Sequence, residues 1–322
     1  MTDFTLAGVF LGDEIDIGNG AVTIFPALRL DHYKLSPTDD PLLPGFVEAR
    51  QDGTRLSPKL GLVAKPAADV RLYANYAQGF RAPEPSQVNQ FFENPNAPFF
   101  AYRTLTNPDL KPETSRSIEG GIRYLGKHVK IDVSVFRGDY RRFISQEQVG
   151  GTGSIADPIL FQVINLDRVS VDGFEVRGEF RAAGGITADL AVSYADGDVR
   201  RGDRRTSLST VDPLKLVAGI GYRDPDGRFG GEIIATHSAR QSLSDTVGVC
   251  TTDCLRPAAF TILDATAFAR LGALTVRAGV FNITDKKYAW WSDVRGLSAT
   301  TTVADAFTQP GRNVSVSATY TF

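Results

Sequence analysis

The chain has 322 residues, with 35 Lys and Arg against 37 Asp and Glu, so its net charge is near zero and nothing points to nucleic acid as a partner. Charged residues make up 22%, which argues against disorder. No run of about 18 apolar residues occurs, so a transmembrane helix is not expected.

The start, "MTDFTLAGVFLGDEID", lacks a basic opening, an apolar core and a small-residue cleavage site, and it does not read as a secretory signal. Strand signals follow. In "DVRLYANYAQGF", Val70, Leu72, Ala74, Tyr76 and Phe80 fall on one face, and Arg71, Tyr73, Asn75 and Arg81 on the other. "GKHVKIDVSVFRGDY" opposes Val129, Ile131, Val133 and Val135 to Lys130, Asp132 and Ser134. "DGFEVRGEF" opposes Phe174, Val176 and Phe180 to Glu175, Arg177 and Glu179, and "GITADLAVSY" alternates in the same way. The chain ends on "NVSVSATYTF", alternating without a slip and stopping on Phe322. A period of two sustained over many residues means half-buried strands.

These strands run to about ten to fourteen residues, where globular strands average ~5–6. A tilted strand of ~9–11 residues spans a bilayer. The pattern predicts about thirteen strands, starting near Asp3, Ala21, Arg55, Asp69, Glu113, His128, Arg168, Gly185, Val211, Arg228, Ala259, Ala273 and Thr308. The stretches around Gly230 and Ile262 alternate less cleanly. Short connections (18–20, 65–68, 126–127, 182–185, 224–227, 271–272) alternate strictly with long ones (35–54, 82–112, 146–165, 200–210, 242–257, 286–307). Outer-membrane barrels have short periplasmic turns and long extracellular loops. The expected fold is therefore all-β, an antiparallel transmembrane β-barrel. Its last strand shows apolar residues to lipid and ends on an aromatic at the interface, so no polar tail is needed. Such a barrel starts and ends in the periplasm with an even strand count. An odd count predicts further strands upstream of Met1.

Cys250 and Cys254 sit in the polar stretch "VGVCTTDCLRP". A small loop disulfide or half of a metal site both fit the spacing. With no His or further Cys nearby the disulfide is favoured, and with it an oxidising compartment. No nucleophile elbow, phosphate loop or metal-spaced His pair occurs, so no enzyme is expected.

Three stretches carry a resemblance: "YANYAQGFRAPEPSQ" followed by "TNPDLKPETSRSIEGGIRY"; "INLDRVSVDGFEVRGEF"; and "AGVFNITDKKYAWWSDVRG" with the C-terminus. Their motif residues include Phe80, Arg81, Ala82 and Pro83, and Asn107, Pro108, Asp109 and Leu110. Together they resemble the C-terminal barrel portion of TonB-dependent outer-membrane receptors, the haem, haemoglobin, transferrin and lactoferrin receptor group above all. The resemblance implies about the last thirteen strands of a 22-stranded barrel across residues 1–322, with the plug domain outside this chain. It implies uptake of an iron source, haem or haem protein first, powered by the TonB complex through that plug. Haem would be transported cargo and not a permanently bound cofactor. Outer-membrane lipid of a Gram-negative cell would surround the barrel.

Pro83, Pro85, Pro108 and Pro112 cannot continue a ladder and should end strands at the rim. Between them lie Phe91, Phe92, Phe99, Phe100 and Tyr102, an aromatic cluster above a barrel mouth. It reads as an apolar ligand site or as a loop packed on itself. Haem receptors of this type are expected to carry an iron-ligating His between the two motifs. This sequence has none there, and His32, His128 and His237 lie elsewhere. Tyr102 is the substitute ligand, with Arg103, Arg256 or Arg295 as partners for propionates. A siderophore receptor, a passive porin or adhesin-type barrel, and a soluble β-sandwich are the rival readings.

Overall fold

The computed structural model describes residues 2–38, 48–94, 101–247, 249–250 and 253–322. Among these residues seventeen strands form one sheet. Four of them are short: β2 (Ile15–Ile17), β6 (Phe92–Asn94), β7 (Tyr102–Leu105) and β12 (Arg204–Ser207). The other thirteen make the wall: β1 (Thr2–Gly12), β3 (Val22–Pro37), β4 (Gln51–Ala67), β5 (Val70–Arg81), β8 (Glu113–Leu125), β9 (Val129–Gly150), β10 (Ile159–Arg181), β11 (Ile186–Arg201), β13 (Lys215–Arg223), β14 (Phe229–Ser238), β15 (Phe260–Leu271), β16 (Leu274–Phe281) and β17 (Asn313–Tyr320). Each wall strand pairs antiparallel with the next, β1 with β3 through to β16 with β17. Short and long connections alternate as the sequence predicts.

The third long connection differs. Residues 146–165 read as a loop, but β9 runs on to Gly150 and β10 begins at Ile159, leaving 151–158 between them. Gln146, Gln148 and Gln162 blurred the hydrophobic signal. Their backbones nevertheless stay in register, Val163 opposite Gln146 and Phe161 opposite Gln148. The strands near Gly230 and Ile262, ambiguous by pattern, form β14 and β15 in plain antiparallel register.

One face of the wall is apolar and bare. Leu60, Ile118, Val135, Ile220, Ile233 and Val316 all keep at least half of their surface open. So large a continuous apolar face would not survive in water and fits a hydrocarbon surround. Tyr124, Phe180, Tyr222 and Tyr320 mark its lower margin, beside the short turns. Among the described residues no helix is long and apolar enough to cross a membrane.

The opposite face is polar and cross-linked. Arg123 pairs with Asp132 at 2.5 Å, which also accepts from the Tyr73 hydroxyl at 3.0 Å. Glu175, Arg177, Glu179, Lys130 and Arg181 continue this ladder. The charged row that alternation places inside the barrel is thus a set of ion pairs, two across strands (Arg123–Asp132, Lys130–Glu179) and two along β10 (Arg177–Glu175, Arg181–Glu179).

Aromatic rings on this inner face lie over glycines directly opposite them. Tyr33 faces Gly53, Phe25 faces Gly61, Tyr73 faces Gly121, Phe136 faces Gly173 and Phe268 faces Gly230. Each glycine leaves a notch in the pleated surface, and a ring from the neighbouring strand fills it.

The turns are built from local charge and chirality. Asp224 accepts from the Arg228 amide at 3.1 Å and from its Nε at 3.0 Å, closing the β13–β14 turn with Gly227 left-handed at φ 67°. The hydrogen bond from Arg228 holds the Asp224 carboxyl below its ordinary value. A depressed carboxylate stabilises the turn above the unfolded pKa, and that contribution is lost as pH falls through the folded value. An NMR titration of the Asp224 carboxyl should give a midpoint below that of an unpaired aspartate. Arg228→Gln should move it upward, and an unmoved midpoint would rule out the pairing.

Candidate functional site

The two signature motifs bracket residues 82–112, and the fold shows what they do. After β5, Pro83 is fully buried. A single turn, α1 (Pro85–Val88), follows, with Pro85 in its first turn and a capping box between Glu84 and Gln87. Val88 and Leu110 pack with Leu35, Ala49, Ile144 and Val163, a small core above the inner face of β3, β9 and β10.

Around this core sits a polar clamp. The Asn107 side-chain amide donates to the Val163 carbonyl at 2.8 Å, while its backbone amide donates to Val88 O at 3.0 Å. Asn107 Oδ1 accepts from the Asp109 amide at 3.1 Å. Asn165 grips Lys111 through both backbone groups, at 2.8 and 2.9 Å, and donates to Arg142 O at 2.8 Å. Gln51 Nε2 donates to the carbonyls of Pro108 and Leu110. Asn89 pairs with both backbone groups of Ala49. The buried Glu113 carboxylate accepts from the Ile144 amide at 3.1 Å. The motif Asn107-Pro108-Asp109-Leu110 therefore anchors the loop to the wall. Gln51, Asn89, Glu113 and Asn165 were not singled out by sequence reasoning. Asn165 lies inside a quoted signature stretch, and an Asn within a strand was the signal available.

Between the anchors, β6 and β7 form a hairpin, Phe92 opposite Thr104 and Asn94 opposite Tyr102. The hairpin docks on the outer extension of β10 through a parallel pairing, Tyr102 beside Ile159 and Leu105 beside Gln162. Phe92 stacks on Tyr102 at 5.4 Å, and Tyr102 meets Phe161 edge-on at 6.1 Å. Phe91 and Phe92 each keep 48% of their surface open, so the cluster is packed at its base and half exposed. Phe99 and Phe100 lie outside the described residues. Arg103 does not join Tyr102. Strand alternation turns it to the other face of the hairpin, where it pairs with Glu93 at 2.6 Å.

The remaining candidates lie apart. Cys250 and Cys254 are joined in a disulfide. Cys254 packs with Ala289, Trp291 and Val294, so the disulfide loop and the "WSDVRG" segment share one core. Trp291 Nε1 donates to Ser209 O at 2.7 Å, and Lys215 sits 4.3 Å from the Trp290 ring centre. Arg256 donates to Gln241 O, and Arg295 is exposed on the same loop cluster. His32 and His237 share the outward face and meet Thr54 and Thr261 across the strand; His128 meets Arg181 O at a short turn. Among the described residues no His, Cys, Asp and Glu gather into a metal-holding group.

Comparisons with known proteins agree with this architecture. The chain is 27% identical over 300 residues to the hemoglobin and hemoglobin-haptoglobin-binding protein of Haemophilus ducreyi, covering 80% of this chain and 30% of the relative. It is 26% identical over 343 residues to hemoglobin-haptoglobin utilization protein B of Neisseria meningitidis, covering 92% of this chain and 42% of the relative. The chain thus spans less than half the length of these relatives. Among solved structures, the copper transporter OprC superposes with a TM-score of 0.78 at 18% identity, over 100% of this chain and 48% of that one. The FrpB iron transporter of Neisseria meningitidis gives 0.73 at 19%, over 99% and 45%. The family model for the β-barrel of TonB-dependent receptor-like proteins matches residues 2–283, and with the bare apolar wall, the clamped loop and the alternating connections this chain belongs to the TonB-dependent receptors.

Proposed function

We propose that these residues form the C-terminal part of the barrel wall and mouth of an outer-membrane receptor that takes up haem from a haem protein. The β6–β7 hairpin carries this reading. It holds half-open aromatic rings on a strand that is hydrogen-bonded to β10, the combination an apolar planar ligand or a protein hot spot requires. The names of the relatives, which bind hemoglobin and hemoglobin-haptoglobin, support it. Tyr102 supplies the phenolic oxygen that can take ferric haem where no His is present. Uptake would be powered by the TonB complex acting on a plug elsewhere in the receptor, and no bond is made or broken.

The test is a haemin titration of the receptor that carries this chain, followed at the Soret band. A shift that Tyr102→Phe removes supports phenolate ligation. Phe92→Ala should weaken binding about tenfold, on the order of 1.4 kcal/mol. A flat Soret band, with fluorescence quenching by a ferric chelate instead, would replace this reading by siderophore uptake; the ferric enterobactin receptor of Pseudomonas aeruginosa shares the fold at a TM-score of 0.68.

A further inference from the structure

The outward face changes character abruptly on β8, β9 and β10. Its apolar residues stop at Ile118, Val135 and Phe174. The next outward positions are charged. Ile118 lies opposite Arg137, which lies opposite Asp172; Arg116 lies opposite Asp139; Arg141 lies opposite both Thr114 and Arg168. A recess of about 150 Å³ opens there, lined by Gln78, Thr114, Arg116, Asp139, Arg141 and Arg168. Three guanidiniums and one carboxylate line it. Asp139 is taken by Arg168 at 2.5 Å and by Arg137 at 3.3 Å. Arg116 and Arg141 are exposed, and neither makes an ion pair or side-chain hydrogen bond among the described residues. Arg137 also pairs with Asp172 at 3.3 Å, so those two charges offset each other and the recess lining holds two cations beyond its one carboxylate.

Height decides what such a recess can meet. A strand rises about 3.3 Å per residue and tilts by about 40° in these barrels, so each residue gains roughly 2.5 Å of height. From the lower aromatic margin at Tyr124 and Phe180 up to Arg116 and Arg168, the rise is about 20–30 Å. The apolar band of an outer-membrane barrel is about 25 Å tall. The recess thus sits at the outer headgroup layer and looks sideways into the membrane, away from the mouth. Among the described residues the outward faces of β3 and β4 carry His32 opposite Thr54 and Lys34 opposite Asp52 in the corresponding stretch, and no run of guanidiniums.

We infer that Arg116, Arg141 and Arg168 form a docking site on the outer wall for a phosphate-bearing lipid headgroup of the outer leaflet. Guanidinium groups bind phosphate through paired N–H donors, and beside a low-dielectric band those bonds gain strength. The apolar residues beneath the recess would hold the acyl chains. The inference rests on the membrane-barrel reading of the chain.

The test uses the receptor that carries this chain, extracted from outer membranes in detergent, with retained phosphorylated glycolipid measured by native mass spectrometry. The variant Arg116→Gln/Arg141→Gln removes the two unpaired cations and leaves the Arg168–Asp139 pair. It should cut retained lipid at least fivefold, while Arg116→Lys/Arg141→Lys restores most of it. Arg71→Gln/Arg177→Gln, which removes the same charge from the inner face, should change nothing. Equal retention by the Gln variant overturns the inference. So does displacement by inorganic phosphate at millimolar concentration with no preference for lipid, which would show a free-anion site. Heat-modifiable migration on gels reports barrel formation separately. If wild type and variants all lack it, the membrane-barrel reading fails and takes this inference with it.

Discussion

Gly173→Ala is expected to prevent the barrel from forming, while Gly178→Ala on the same strand should leave it intact. Both positions are strand glycines in β10, and intrinsic propensity treats the two changes alike. Geometry separates them. A Cβ at Gly173 would lie 2.4 Å from Phe136 Cζ and 2.5 Å from the Tyr194 carbonyl oxygen. The ring could move, but the carbonyl belongs to the β10–β11 ladder and cannot. At Gly178 the nearest atom is the Leu190 Cβ at 3.9 Å, an ordinary contact. Overpacking in a closed site costs typically about 1–3 kcal/mol, and more when backbone must shift. In β10 the shift would pass into both neighbours, because its register with β9 and β11 is continuous through Gly173. The readout is heat-modifiable migration after refolding into detergent. Adding Phe136→Ala to Gly173→Ala should rescue little, since the carbonyl contact remains. Normal folding of Gly173→Ala would show that the aromatic-over-glycine pairs are incidental.

This contrast marks where the sequence is legible. Alternation in "DGFEVRGEF" places Glu175 and Arg177 inward, and the ion-pair ladder confirms that face. Wall strands are readable because each outward position must be apolar by itself, whatever its neighbours do. The ring over Gly173 comes from Phe136 on another strand, so it depends on register, which alternation alone does not give. The loop is harder still. Tyr102 and Arg103 were grouped as adjacent candidates, yet a four-residue strand separates them onto opposite faces. So short a strand, with an Arg and a Thr between its apolar residues, carries no readable period. The outer extensions of β9 and β10 were hidden for a related reason: above the bilayer nothing requires their outward side chains to be apolar.

The signature motif, read from sequence as a family mark, is expected to act on binding through position and not through contact. Asn107→Ala removes a 2.8 Å bond to Val163 O and the acceptor for the Asp109 amide, leaving both groups to find other partners. Lost bonds and orphaned groups of this kind cost about 2–4 kcal/mol together. The barrel should not feel it, because no wall pairing passes through residue 107. The loop should, since Leu110 and Val88 share a core with Ile144 and Val163 that Asn107 holds shut. Asn165→Ala releases the same loop from the wall side, by freeing both backbone groups of Lys111. Each variant should migrate as a folded barrel, become sensitive to protease within residues 82–112 on intact cells, and lose ligand affinity by about tenfold or more. The double variant should lose little beyond the worse single one, because the two side chains secure one segment and are not independent. Additive losses would mean that Asn107 and Asn165 hold separate structures. Undiminished binding with a protease-sensitive loop would move the ligand site away from the β6–β7 hairpin, towards the core shared by the disulfide loop and Trp291.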